Sequence, residues 1–444
     1  MDFHKSSKIL LILLFAIAIK TNAQNQYKFS LNDAVAFATK NNVQVKNALL
    51  NVQMQHQNNK IVTAAAFPTL SASIGSTYYI DIPVSLIPGE IFGQPQGTYL
   101  PVQFGTKYNT NAGVQLHQLL FDGQVFVGLQ ARDATIQFQK KAVEVTEVNI
   151  KANVQKIYYQ LVVAKTQIEL LDANINRLKK LHHDVNEIYK SGFAEKLDVD
   201  KLEVSLNNLQ TEKQKVINSI NIGYVALKTL MGMPIKDELI LTDKITEAEI
   251  KANALIDSVN YDDRKEFQFL NITKRLNEYN IKRYQLSYLP TVSFNANYSK
   301  QAQRNKFTFF NKGDWFTTSY VGLNINVPIF SGFSKDSKLN LARLDLQQTQ
   351  NNIENLKLNI DAETEQAKLK FNSALESIDI QKRNMELAEK VYNQTKKKFE
   401  IGTGSNTEIT TADTELKTSQ TNYISALYDA IIAKVDFLKA TGKL

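Results

Sequence analysis

The sequence predicts a mainly α-helical protein that carries a small membrane β-barrel and is built from two tandem structural repeats. Three patterns support this fold class: long helical segments with heptad spacing, four short segments that alternate apolar and polar residues, and the recurrence of both. Gly192 and Gly402 lie 210 residues apart, and each is followed after 40 residues by another glycine, Gly232 and Gly442. Such constant spacing indicates an architectural repeat.

Residues 1–23 have the pattern of a secretory signal peptide. Lys5 and Lys8 precede an apolar run of 11 residues, Ile9–Ile19, and Thr21-Asn22-Ala23 offers a cleavage site of small residues. The run is too short to span a bilayer, and no later stretch is long enough to suggest a transmembrane helix. The chain has no cysteine, which excludes disulfides, thiol chemistry and a lipid anchor on an N-terminal cysteine.

Composition and motifs argue against catalysis and nucleic-acid binding. The net charge of +8 comes from 52 basic and 44 acidic residues that are dispersed over predicted helix faces. His182 and His183 are adjacent and therefore point in different directions, unlike the i, i+4 pair of a helical zinc site. The Gly402-Thr403-Gly404 turn lacks the strand and lysine of a phosphate loop. We therefore expect no enzyme activity, no cofactor, no metal site and no nucleic-acid partner.

The first repeat, residues 24–232, begins with a helix that ends at Pro68. Ser30 or Asn32 can cap this helix, and Asn41-Asn42 is a soft break. A helical hairpin over 124–231 follows, turning near Gly192, where glycine can adopt the left-handed conformation that ends a helix. Its first helix shows a heptad seam, typical of a helix packed along its whole length: Ile150, Val154, Ile157, Leu161, Ala164, Ile168, Leu171, Ile175 and Leu178.

The second repeat, residues 263–444, has the same order of elements. A helix over 263–289 ends at Pro290, and a hairpin over 334–441 turns near Gly402. Its last helix continues the seam with smaller side chains, among them Ala412, Ala426 and Ala430. Residues 233–262 join the repeats, and their short helical run at 245–259 predicts an equatorial collar around the helices.

Four segments have the two-residue period of strands: about 69–79, 108–120, 291–299 and 317–329. Each places apolar residues on one face and uncharged polar residues, many of them asparagine, on the other. A soluble, half-buried sheet would give the same alternation. In a secreted chain without a transmembrane helix, the combination favours an outer-membrane barrel, in which lipid-facing and lumen-facing residues alternate.

Four strands cannot close a barrel, and an open sheet edge in lipid would leave backbone groups unpaired. Several chains must therefore contribute, and the channel is expected to be an oligomer. Eight strands would enclose an interior filled by side chains. Twelve or sixteen strands remain open as alternatives at this point.

Two segments connect the strands within each pair. Residues 81–107, rich in proline and glycine, predict an irregular external loop, as do residues 300–316. The second loop is rich in aromatic residues, which either mark the membrane-water boundary or form a ligand-stacking site: Phe307, Phe309, Phe310, Trp315 and Phe316.

Ordered motifs along the mature chain resemble the TolC-type outer-membrane efflux protein family. They are the opening Ser30-Leu31-Asn32-Asp33-Ala34, the helix-proline-strand junctions at Pro68 and Pro290, the element Val327-Pro328-Ile329-Phe330-Ser331-Gly332, and the Ile401-Gly402-Thr403 turn. The resemblance implies a homotrimer in the outer membrane, with four strands per chain in a 12-stranded barrel and a 12-helix tunnel extending into the periplasm. It also implies a periplasmic adaptor and an inner-membrane pump as partners, and contact with outer-membrane lipid.

In this family the periplasmic entrance is narrowed at the helical tips by polar contacts and an acidic ring, which makes the two turns the candidate site. Asp198 and Glu408, each six residues past a turn glycine, are candidate pore residues, together with Thr411 and Asp413. Glu408 matches the first acidic position of the ring, whereas Thr411 occupies the second. Gly404 and Phe399 replace the arginine and tyrosine of the family's ionic lock, so that particular lock is not expected here.

Each tip residue also has a structural interpretation. Three copies of Glu408 would favour cations in a narrow entrance, but a carboxylate in the first turn of a helix is also stabilised by the helix dipole. Gly192, Gly402 and the run Lys396, Lys397 and Lys398 are candidate adaptor contacts, although a solvated helix end would explain the lysines equally well.

The resemblance implies a passive exit duct of a tripartite efflux or type I secretion system. The pump would supply the energy, and this chain would supply a water-filled path with a gate at the tips. Two alternatives remain. One is a non-conducting periplasmic coiled-coil scaffold or adhesion protein, and the other is a stand-alone porin.

Overall fold

A computed structural model describes residues 26–252, 260–310 and 313–444. The predicted signal peptide and part of the predicted linker helix at 245–259 lie outside these ranges. The chain divides into two compact units. The helical unit contains the chain up to Asn51 together with Lys140–Leu270 and Asn352–Leu444; the sheet unit contains Val52–Gln139 and Asn271–Asn351. Each unit therefore draws residues from both predicted repeats.

The protein is mainly helical. Among the described residues, no helix combines the length and the hydropathy needed to cross a membrane. The α-helices in these ranges are α1 Leu31–Asn41, α2 Val43–Ala64, α3 Gly123–Lys190, α4 Lys196–Met231, α5 Glu247–Lys251, α6 Lys265–Leu286, α7 Ser334–Glu400 and α8 Asn406–Ala440.

The limits of the long helices match the spacing seen in the sequence. Helices α3 and α7 end at Lys190 and Glu400, and helices α4 and α8 begin at Lys196 and Asn406, so both pairs of limits differ by 210 residues. Much of the heptad seam is buried, as its spacing predicts. Its buried members include Ile150, Val154, Leu161, Leu171 and Leu178 in α3, and Ala412, Ala426, Ala430, Phe437 and Ala440 in α8.

The break between α1 and α2 forms a contact with the end of α4. The Asn42 side-chain oxygen accepts hydrogen bonds from the backbone N–H of Gln44 at 2.7 Å and of Val45 at 3.3 Å, which caps α2. Its amide nitrogen donates to the Leu230 carbonyl at 2.6 Å. One buried asparagine therefore satisfies backbone groups at two helix ends.

Arg264 makes the corresponding contact at the end of α8. Its guanidinium donates to the Ala440 carbonyl at 2.9 Å and to the Glu363 carboxylate at 3.0 Å, and the side chain is only 5% exposed. The buried charge is therefore paired and hydrogen-bonded, as burial of a cation requires.

Four antiparallel strands form the sheet of the sheet unit in the order β2, β5, β7, β8. Their bounds are β2 Thr69–Tyr78, β5 Tyr108–Phe121, β7 Thr291–Arg304 and β8 Phe316–Asn326. Strand β7 extends past the predicted 299, because Arg304 still pairs with Tyr108 at the start of β5. Strand β8 stops before the predicted 329, since Pro328 lacks the N–H that a ladder needs.

The two faces of this sheet differ in chemistry. Leu70, Leu116, Ala296 and Val321 are cross-strand partners in one row of the apolar face. The adjacent row of the other face contains Thr69, His117, Asn295 and Gly322, with a 2.8 Å hydrogen bond between His117 and Asn295. On the edge strands the large side chains of the apolar face are exposed; Leu70 is 71% and Val321 73% accessible.

The prediction of an irregular loop over 81–107 is wrong. Strand β3, Val84–Pro88, pairs with β4, Tyr99–Gln103, and a short 3₁₀ turn at Gly89–Phe92 follows β3. The prolines suggested loop structure. In a two-stranded ribbon, however, each strand has one free edge, where a residue without an N–H is tolerated.

A second small sheet lies in the helical unit and has no counterpart among the predicted strands. Strand β1, Gln26–Phe29, runs parallel to β6, Glu238–Leu241, in the linker. The buried Tyr158 of α3 donates its hydroxyl to the Phe29 carbonyl at 3.0 Å.

Later in the linker, Glu247 connects α5 to two other helices. Its carboxylate pairs with Lys382 at 2.8 Å and accepts a hydrogen bond from the Tyr423 hydroxyl at 2.6 Å. The predicted collar remains a prediction.

We predict that alanine at Gly232 destabilises the protein more than alanine at Gly192. Both glycines have positive φ, +71° and +84°, so each substitution carries a backbone cost of about 1–2 kcal/mol. A Cβ at Gly232 would also lie 2.5 Å from the Asn41 carbonyl oxygen, whereas Gly192 has open space around it. Thermal unfolding followed by circular dichroism tests this. Equal losses for Gly232→Ala and Gly192→Ala would show that the Asn41 contact costs nothing.

Candidate functional site

The tips of the two helical hairpins lie in the helical unit and share one apolar cluster. The first tip joins α3 to α4 across residues 191–195, and the second joins α7 to α8 across residues 401–405. Val199 and Leu202 of α4 pack in the same cluster as Tyr392 of α7 and Ile409 of α8. The structure therefore brings together the two turns that the sequence singled out separately.

Both turns end their first helix in the same way. Gly192 and Gly402 have φ of +84° and +78°. The N–H of the following residue reaches back to a helix carbonyl, from Phe193 to Ile188 at 3.0 Å and from Thr403 to Lys398 at 2.9 Å. This is the Schellman pattern, in which a glycine in the left-handed region ends a helix.

The two acidic candidates occupy different environments. Glu408 is exposed and forms a capping box with Ser405. The Ser405 hydroxyl accepts from the Glu408 N–H at 3.1 Å, and the Glu408 carboxylate accepts from the Ser405 N–H at 3.3 Å. Asp198 is half-buried in the first turn of α4, where the cap residue Glu195 makes no side-chain hydrogen bond. Glu408 thus has a capping role whatever else it does.

Thr411 and Asp413 also differ from each other. The Thr411 side chain is exposed, and its hydroxyl donates to the Thr407 carbonyl of its own helix at 2.8 Å. Asp413 is 6% exposed and accepts a hydrogen bond from Arg177 Nε at 2.5 Å. Asp413 therefore holds its charge inside the chain, whereas Glu408 presents its charge to solvent.

Arg177 is the centre of a polar network that sequence reasoning missed. Besides Asp413 of α8, it donates to Asn174 Oδ1 at 2.6 Å, and its guanidinium lies 4.8 Å from the centre of the Tyr392 ring on α7. One side chain of α3 thus contacts both helices of the second hairpin. Burial raises the pKa of the Tyr392 phenol above its usual value, so this ring is neutral and suited to a cation–π contact.

The sequence offers little signal for this network. Arg177 lies one residue before the seam position Leu178, and the residue 210 positions later is Leu387, so the repeat does not conserve the charge. A single arginine beside a heptad seam usually belongs to a solvated face. Only the packing of α8 against α3 in the structure shows that the partner of Arg177 is Asp413.

The candidate adaptor lysines lie in the last turns of α7. Lys396 is half-buried and pairs with Glu400 at 3.6 Å, whereas Lys397 and Lys398 are exposed. A cavity of about 460 Å³ opens beside Lys396, and its lining includes Arg177, Lys180, Leu181, Phe399 and Ile409. Within the described ranges, no group of three or more histidine, aspartate or glutamate residues could hold a metal ion.

We predict that Arg177→Ala destabilises the protein by about 3 kcal/mol or more, because it leaves the Asp413 carboxylate buried without a partner. The pair Lys213–Asp172, with side chains 31% and 45% exposed, has the same 2.5 Å distance and joins α4 to α3, so Lys213→Ala is a more solvent-accessible control with an expected cost of about 1 kcal/mol or less. Thermal unfolding compares the two. The double variant Arg177→Met/Asp413→Leu should regain most of the loss; if it does not, charge burial does not explain the effect.

Comparison with known proteins places this geometry in a family. The profile of the family described as "Outer membrane efflux protein" matches residues 35–233 and 269–443. The outer membrane efflux protein BepC of Brucella suis is 22% identical over 432 residues, which cover 94% of this chain and 86% of BepC. The outer membrane protein TolC of Vibrio cholerae is 18% identical over 339 residues, covering 75% of this chain and 77% of TolC.

The fold agrees with a solved channel structure. A crystal structure of CusC, whose description refers to transmembrane channel formation, is similar with a TM-score of 0.77 at 15% identity, covering 93% of this chain and 91% of that one. Both curated relatives are named as outer-membrane proteins, and BepC as an efflux protein. The chain therefore belongs to the outer membrane efflux protein family.

Proposed function

We propose that three copies of this chain form a passive duct through the outer membrane, which an inner-membrane pump and a periplasmic adaptor complete. In this proposal each copy contributes four strands to a 12-stranded barrel, and the long helical hairpins line a tunnel in the periplasm. The matching helix limits support an origin in two tandem repeats. Family membership supports the channel activity, and channels of this family are not enzymes.

The observation that carries the proposal is the chemistry of the four-stranded sheet. Its apolar face is exposed on the edge strands β2 and β8, at Leu70, Ile74, Val321 and Leu323, and is partly exposed on the middle strands, where Val114 is 40% and Tyr298 53% accessible. A soluble half-buried sheet would cover this face with other parts of the chain. An exposed apolar face opposite an uncharged polar face is what a barrel strand needs, with lipid on one side and water on the other.

The edges of the sheet support an oligomer. Strands β2 and β8 each pair on one side only, so each presents unpaired backbone groups. The strands alternate in direction, so β8 of one copy can pair antiparallel with β2 of the next and preserve the alternation around a ring. Two copies would give eight strands and an interior filled by side chains, whereas three give twelve and space for an open lumen.

The tips support a gate. Arg177, Asp413 and Tyr392 hold the two hairpins of one chain together, while Glu408 leaves its carboxylate in solvent at the end of the second hairpin. In a trimer, three Glu408 carboxylates and three Asp198 carboxylates would surround the entrance and favour cations. Lys397 and Lys398, exposed beside the second turn, are then available to an adaptor.

Single-channel conductance of the purified mature protein in a planar bilayer tests the duct. We expect small, cation-selective steps, because the tips narrow the entrance and carry carboxylates. A detergent-stable oligomer without any conductance would contradict the duct and favour the scaffold. Large steps that need no partner and do not respond to tip substitutions would favour the porin.

The variant Glu408→Gln separates the two roles of this residue. Glutamine can still accept the Ser405 N–H in the capping box, so stability should hardly change, while three charges leave the proposed entrance. We expect the ratio of cation to anion permeability to fall by about twofold or more. Glu365→Gln, an exposed carboxylate in the middle of α7, is the matched control. Identical selectivity in both variants would leave Glu408 as a helix cap alone.

A further inference from the structure

The ribbon of β3 and β4 continues the barrel strands beyond the four-stranded sheet. The Tyr79 N–H donates to the Lys107 carbonyl at 2.8 Å, and the pairing resumes from Val84 opposite Gln103 to Pro88 opposite Tyr99. The chain thus leaves the sheet as an extension of β2 and returns as the start of β5. We call residues 81–107 the rim hairpin.

The rim hairpin is almost uncharged. Between Asp81 and Lys107 the only charged residue is Glu90. Its carboxylate accepts a hydrogen bond from the Gly97 N–H at 3.1 Å, so it has a partner within the hairpin itself. External loops of membrane proteins meet water, and a segment of this length would ordinarily carry several charges.

One face of the ribbon is an uncovered apolar surface. Residues that pair directly share a face, and the face alternates along each strand. Val84, Leu86, Pro88, Tyr99 and Pro101 therefore lie together, with Gln103 as the one polar member. Leu86 is 67% and Tyr99 62% exposed, and at the adjacent turn Ile91 is 71% and Phe92 59% exposed. A two-stranded ribbon is marginally stable alone in water, so a surface of this kind needs a covering partner.

The composition indicates which partner covers it. Residues 82–106 contain no lysine, arginine or tryptophan, and Tyr99 is the one member of the residue types that anchor a surface segment to lipid headgroups. Their one charged residue, Glu90, is already hydrogen-bonded within the hairpin, so these residues offer little to a charged protein. Around a symmetry axis identical residues approach one another, so like charges would repel there, whereas an uncharged apolar face is compatible with its own copies.

The position of the hairpin favours the same partner. Strand β2 is an edge of the sheet and is expected to lie beside the next copy in the proposed ring. The rim hairpin prolongs this edge strand, so neighbouring copies carry their rim hairpins on the same end of the barrel. The apolar faces are then within reach of one another.

We propose that the rim hairpins of the copies in one oligomer pack together through this face and the Ile91-Phe92 turn, and thereby close the external mouth of the channel. This inference rests on the proposed oligomeric channel. It adds a closure besides the proposed gate at the tips. This closure is held by apolar contacts rather than by charged ones, so it should open without a change in pH or salt.

Cross-linking tests contact between copies. The chain has no cysteine, so Phe92→Cys introduces the only thiol, and any cross-link must join two chains. With a short bismaleimide on the purified oligomer, we expect covalent dimers of chains. Phe310→Cys, at a residue 93% exposed in the β7–β8 loop, is the matched control and should stay uncross-linked. The inference would be overturned if Phe92→Cys formed no more cross-linked dimers than Phe310→Cys. It would also be overturned if Phe92→Cys cross-linked in cells only to another protein.

Access from outside tests the closure itself. Ser73 lies on the polar face of β2, so Ser73→Cys reports entry of a bulky maleimide added to intact cells. We expect slow labelling in this background and labelling about tenfold faster when Leu86→Glu is added, because three carboxylates would repel at the mouth. Leu86→Met is the conservative control and should label slowly. Rapid labelling of Ser73→Cys in the protein with Leu86 unchanged would contradict the proposed closure.

Native mass spectrometry and conductance of the same samples separate this inference from the proposed function. If the oligomer conducts but shows neither cross-links nor slow labelling, the external closure is excluded and the proposed duct is retained. If the protein is only monomeric, both the duct and the closure are excluded.

Discussion

Every backbone N–H and C=O that leaves water needs a hydrogen-bond partner, and much of this structure follows from that requirement. At the helix ends the partners come from the chain itself: Asn42 serves the end of α4, Arg264 the end of α8, and Ser405 with Glu408 the start of α8. Within the described residues, no further strand pairs with the two outer edges of the four-stranded sheet. In the proposed oligomer the edge strands of neighbouring copies would supply these partners, and this is the physical basis of the proposal.

The tips and the rim hairpin rely on different physical interactions. At the tips, a buried ion pair and a cation–π contact join the hairpins within one chain, and exposed carboxylates face the solvent. In the rim hairpin, the stretch between Asp81 and Lys107 has a single carboxylate, Glu90, which is hydrogen-bonded within the hairpin. Charged contacts respond to ions and to partner proteins, whereas apolar contacts respond to anything that competes for the same surface. A duct that is driven by a separate pump can use the first kind to couple to its partners and the second to exclude external solutes.

Several features were predictable because they depend on neighbours in sequence. The heptad spacing placed the buried seam of α3 and α8, the glycines placed both tips, and the period of two placed four strands with an apolar and a polar face. The rim hairpin was missed because its prolines are unfavourable in a sheet interior but acceptable at the free edges of a ribbon. The short pair of β1 and β6 was missed because its strands have only four residues each and lie far apart in the chain.

The sequence alone determined the helical class, the position of the turns and the two chemistries of the strands, since each follows from a local period or from a residue with special backbone freedom. Only the tertiary structure decided which charges are paired. Asp413 and Glu408 are both acids near the start of α8, yet one is buried against Arg177 and the other is exposed in a capping box. That difference depends on which helix packs against each residue, and the contact joins positions 236 residues apart. No period within one segment can encode such a contact, because its energy exists only when the two hairpins are packed together.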